Sequence, residues 1–135
     1  MSHANVDLVR RTFELANQGA DYLVARYLAP DVEWHHNIGL GTPMEGIYHG
    51  RDEVLALFRA LRESFGILRF ELEEIRDLSP SKTLSLGYLH VEGRGSGAAA
   101  TTPFGCVTEV RDGLAVRQRV WTDWGAALAA VGLRD

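Results

Sequence analysis

The chain has 135 residues, 46% of them hydrophobic and 24% charged, the proportions of one folded domain rather than of a disordered, collagenous or membrane chain. Fourteen basic against eighteen acidic side chains give a net charge of −4, with thirteen Arg and a single lysine, Lys82, and scattered arginines on a mildly acidic chain argue against a nucleic-acid partner. The most apolar stretch, Trp124 to Leu133, is far short of the ~18–20 residues a membrane-spanning helix needs, and a lone cysteine, Cys106, excludes an intrachain disulfide and fits a reducing, cytoplasmic setting with no metal or cofactor.

From Asn5 to Gln18, Val6, Val9, Phe13 and Ala16 recur at helical spacing, so a core-facing helix is expected there. Asp21 can cap a second helix, whose apolar residues Leu23, Val24, Tyr27 and Leu28 run up to Pro30 as its stop. Val32, Trp34 and His36 then alternate with Glu33 and His35 as in a short strand. Residues 37–50 hold Gly39, Gly41, Pro43, Gly46 and Gly50, which reads as a long loop. Val54, Leu57, Phe58, Leu61 and Phe65 predict a third amphipathic helix, closed by Gly66.

Beyond Gly66 the period changes from 3.6 to 2. Leu68, Phe70 and Leu72 alternate with charged residues until Ile75 stands where a polar residue was due, which predicts a bulge. Strands follow over 83–92, 101–111 and 114–122, with Asp112-Gly113 as a tight-turn signal. Asp123 stands at the N-cap of a last Ala-rich helix that Gly132 closes. The expected architecture is one α+β domain: a curved antiparallel sheet, cone-shaped inside, packed by three N-terminal helices, with a short C-terminal helix.

On Pro30-Asp31-Val32-Glu33-Trp34, on Tyr48-His49-Gly50-Arg51-Asp52-Glu53-Val54 and on the Arg111-to-Asp123 hairpin with its Ala-rich ending, the chain resembles the nuclear transport factor 2-like superfamily, in its SnoaL-like group. The resemblance covers nearly the whole chain and implies a cone-shaped fold used by isomerases, epoxide hydrolases, cyclases, dehydratases and non-catalytic binders, so the fold alone does not choose an activity. It also implies acid–base positions. The ketosteroid isomerase base falls on Trp34, the tyrosine donor on Thr12 and the protonated acid on Gly105 or Cys106, while the last-strand aspartate of the epoxide hydrolases falls on Val120. None of these can move the required proton.

The candidate machinery is therefore different. If Tyr88, His90 and Glu92 share the inward face of their strand, a donor, an imidazole and a carboxylate project together, and a carboxylate beside an imidazole makes a general base. The alternative leaves Glu92 at the open end beside Gly93, in solvent. His36 can meet His90 across the cavity, which gives His36, His90 and Glu92 as candidate catalytic residues. Trp34, Tyr48, His49, Phe58, Tyr88, Phe104, Cys106, Thr108 and Val120 are candidate ligand contacts, with Tyr48 and His49 at the rim or simply capping the core. The expected ligand is a small, largely apolar organic molecule, bound for proton transfer or sequestered without chemistry. An outer sheet face carrying Leu89, Val91 and Val107 among Arg and Trp side chains would serve a homodimer.

Overall fold

Val9 and Phe13 turn one side of the first helix, α1 (Ala4–Asn17), into the interior, as their spacing requires, and Leu15 is buried as well. The computed structural model describes residues 4–37 and 44–133; the stretch 38–43, with Gly39, Gly41 and Pro43 of the expected loop, lies outside the described residues. After α1 come α2 (Asp21–Ala25), β1 (Leu28–Asn37), β2 (Gly46–His49), α3 (Gly50–Ser64), β3 (Phe65–Ser79), β4 (Lys82–Gly93), β5 (Ala99–Arg111), β6 (Leu114–Trp121) and α4 (Trp124–Ala130). The strands form one curved sheet in the order β2-β1-β6-β5-β4-β3, antiparallel except where β1 runs parallel to β6. Helices α1, α2 and α3 on one side of such a sheet make the α+β cone expected from the sequence.

Three boundaries differ from expectation, each for a local reason. Helix α2 is one short turn, and the chain is already extended at Leu28. Pro30 thus lies inside β1, where the ladder to β6 shifts register between Leu28 and Glu33, a place where a missing N–H is tolerated. Part of the expected loop is a strand, since residues 46–49 pair with 33–36. Gly66 does not end α3, because the backbone turns extended at Phe65 and runs directly into β3.

Other local features follow the sequence. The β3–β4 ladder shifts register between Leu72 and Glu74, where the apolar phase slips. Asp112 and Gly113 both take positive φ, 54° and 76°, as a type I′ turn demands. Asp123 caps α4 by accepting from the Gly125 N–H at 3.1 Å.

Core clusters form on both sides of the sheet. On the concave side α1 covers Leu89, Phe104, Cys106 and Val120. On the outer side α4 packs Ala127 and Leu128 over Leu84, Leu86 and Val107. This corrects the reading of the outer face: Leu89 points inward, Val91 packs with it, and Val107 is covered by this chain's own last helix. The apolar residues offered as a reason for a homodimer are thus spent inside the protomer.

Candidate functional site

Between the concave face and helices α1, α2 and α3 lies a cavity of about 160 Å³. Its volume is close to the ~150 Å³ of apolar cavities that stay dry and take up benzene. Aromatic rings make much of its wall. Phe13, Phe70 and Phe104 meet one another edge-on or tilted with centroids 5.2–5.5 Å apart, and Trp34 meets Phe58 edge-on at 5.2 Å. Leu68, Leu89 and Val91 add aliphatic surface.

On the sheet side, strand register sets which polar side chains share the concave face. Trp34 on β1 stands opposite Gln118 on β6, which stands opposite Thr108 on β5, which stands opposite Thr83 on β4. The next row on the same face runs His36, Val120, Cys106, Ser85. Within these rows the Thr108 hydroxyl donates to Gln118 Oε1. With its oxygen engaged, Gln118 has its amide N–H groups left as donors.

His36 is only 4% exposed. Burial pushes its imidazole down to about 4, because the charged form loses its hydration without gaining a partner. The ring is therefore neutral at ordinary pH, and its Nδ1 is buried with no hydrogen-bond partner among the described residues. Cys106, in the same row, is buried and its thiol is pushed up by the same loss of hydration, so it is a wall residue and not a nucleophile.

The helical side carries one ion pair. Arg62 donates from Nε to Asp21 Oδ2 at 3.1 Å, from Nη2 to Asp21 Oδ1 at 2.9 Å, and from Nη2 to the Ala16 carbonyl at 2.6 Å. This clasp ties α3 to the start of α2 and the end of α1. Among the described residues lining the cavity, Asp21 is the one acidic side chain, and its charge is already met.

The candidate residues divide between the two faces. His36, Trp34, Phe58, Phe104, Cys106, Thr108 and Val120 line the cavity. Tyr88, His90 and Glu92 do not, because Leu89 and Val91 take the inward positions of β4. His90 has a carboxylate, but on the outside: its Nε2 pairs with Glu71 Oε1 at 2.8 Å and its Nδ1 with Thr101 Oγ1 at 2.9 Å, joining β3, β4 and β5. Tyr88 meets Trp124 at a tilt, with centroids 5.4 Å apart. The expected His36–His90–Glu92 set is thus split by the sheet.

Tyr48 donates to the Met44 carbonyl at 2.5 Å and packs on the cluster of Leu28, Val32, Val54 and Ala115, so it caps core. His49 is exposed at the start of α3, its N–H bonded to Glu53 Oε1 at 2.8 Å. The Asp21–Arg62 clasp was missed from sequence. Its partners are 41 residues apart, and only an arginine on the core side of α3 hints at it. No group of three or more His, Cys, Asp or Glu fit to hold a metal occurs among the described residues, and no helix there is long and apolar enough to cross a membrane.

The chain matches the model of the SnoaL-like domain over residues 9–118, and it belongs to that family. Among solved structures it is similar to a nuclear transport factor 2-like protein of unknown function from Burkholderia pseudomallei, 28% identical over 98% of this chain and 99% of that one, with a TM-score of 0.82. It is also similar in fold to TerC, crystallised with polyporic acid, at 22% identity over 91% and 94% of the two chains and a TM-score of 0.80. A candidate polyketide cyclase from Xanthomonas campestris shares 20% identity over 96% and 98%, with a TM-score of 0.74. No curated protein matches the chain.

Proposed function

We propose that the protein is a SnoaL-like binder of a small, largely apolar organic molecule held in the cone. The observation that carries this is an aromatic- and aliphatic-walled cavity of about 160 Å³ whose acid–base complement, in the described residues, comes down to one neutral histidine and one internally paired carboxylate. A cavity of this kind favours apolar ligands, and a few polar groups set their orientation. TerC, of similar fold, was crystallised with polyporic acid, which supports an organic ligand for this chain.

A second reading, proton transfer as in an isomerase, cyclase or dehydratase, is favoured by one observation: His36 presents a buried imidazole with an unpaired Nδ1. It works against that reading that no carboxylate among the described residues orients the ring and that burial holds its basicity low, since an efficient base titrates near the working pH.

Following deuterium exchange at the α-carbon of a small ketone by NMR, with protein in D2O, separates the two. The binding reading predicts the background rate in wild type. Exchange accelerated by wild type and lost in His36→Ala would overturn it in favour of catalysis.

A further inference from the structure

Six buried side-chain nitrogen or oxygen atoms lack a hydrogen-bond partner among the described residues, and four of them fall in the two adjacent rows across β1, β6, β5 and β4: Trp34 Nε1, His36 Nδ1, Thr83 Oγ1 and Ser85 Oγ. Buried groups of this kind are normally satisfied, and an orphan calls for an explanation such as a bound molecule. Trp34 and His36 are the two of the four residues that line the cavity. They stand two positions apart on one face of β1, and Gln118, directly opposite Trp34, adds an amide whose oxygen is already engaged by Thr108.

The hydrogen-bond inventory of this corner is lopsided. The indole offers one donor and no acceptor, the Gln118 amide two donors, and a neutral imidazole one of each. Donors outnumber acceptors four to one, and no net charge faces the ligand, because Asp21 and Arg62 satisfy each other. An ammonium group would find a single acceptor here, and a carboxylate would lose its hydration without a cation to replace it. A neutral oxygen with two lone pairs meets the inventory. Trp34 Nε1 and His36 Nδ1 are both closed off from the cavity in this structure, so either ring must turn about its Cβ–Cγ bond to offer that nitrogen.

Resting on the binding reading above, we propose that Trp34 and Gln118 donate to the two lone pairs of one oxygen of the bound molecule, beside the His36 ring, and that the molecule is a neutral, compact compound with a carbonyl oxygen at one end of an apolar body. The body packs on the phenylalanine cluster, and the oxygen is held at the β1–β6 wall.

The test compares cyclohexanone with methylenecyclohexane, which has the same shape but no oxygen, by NMR titration of the isotope-labelled protein. Cyclohexanone binds about thirtyfold more tightly, the worth of two neutral hydrogen bonds, and moves the Trp34 indole N–H resonance downfield where the hydrocarbon does not. The ratio of the two affinities falls towards one in Gln118→Leu and in Trp34→Phe, each shown by its spectrum to be folded. Equal binding of both probes by wild type, or a ratio unchanged in both variants, overturns the clamp and leaves the pocket standing. Binding of neither probe overturns the pocket as well.

Discussion

His36 is held neutral by burial, with its imidazole at about 4 against the ordinary 6.5 or so of the unfolded chain. Between these values the unfolded chain binds the extra proton, so stability is full above about pH 6.5, falls as pH drops, and levels off below about 4. The gap corresponds to a loss on the order of 3 kcal/mol. Denaturant unfolding of wild type and His36→Asn from pH 7 to 4 checks this, the variant losing less stability across that window. Cys106, buried with its thiol pushed up, is expected to react with a thiol reagent only at the rate of unfolding. Fast modification of the native protein would mean that the β5 wall opens.

Elements are locked to one another by a few contacts that can be broken singly. Asp123 caps α4, and Asp123→Ala is expected to cost about 1 kcal/mol in thermal unfolding. At Gly105 an added Cβ would lie 2.4 Å from the Ala127 Cβ, so Gly105→Ala must push α4 off the outer face, at a cost of about 1–3 kcal/mol. Arg62→Met leaves Asp21 without its bidentate partner and is expected to lose about 2 kcal/mol. That variant should also speed amide exchange in α2, because five residues cannot hold a helix unaided.

Element types were largely legible: the stripes of α1 and α3, the bulge in β3, the Asp112-Gly113 turn and the Asp123 cap all follow from local chemistry. The inward face of β4 was not. Its even positions run Leu84, Leu86, Tyr88, His90, Glu92, and its odd positions Thr83, Ser85, Gly87, Leu89, Val91. Each face is half apolar and half polar, because α4 covers the outer side at one end while the apolar cavity claims the inner side at the other. A strand shared between two cores has no single alternation to read. Sequence placed Trp34, His36, Thr108 and Val120 on the inward face because β1, β5 and β6 keep one phase there. The Asp21–Arg62 clasp depended on long-range packing.

At the scale of the whole molecule, the sheet's curvature spreads the apolar content over core clusters on both its sides and a cavity. The outer core under α4 is filled, while the concave side keeps about 160 Å³ of space walled by aromatic rings. Space of that kind costs stability unless something occupies it, and a ligand that binds only the folded chain raises its melting temperature by mass action.

The most direct test is calorimetric titration of toluene into wild type and into Ala16→Phe, which places a ring into the cavity from the α1 side. Wild type is predicted to bind toluene with a negative heat-capacity change, and the variant to unfold cooperatively with no loss of melting temperature but to have lost binding. No binding by wild type, or undiminished binding by the filled variant, would contradict a ligand-holding cone.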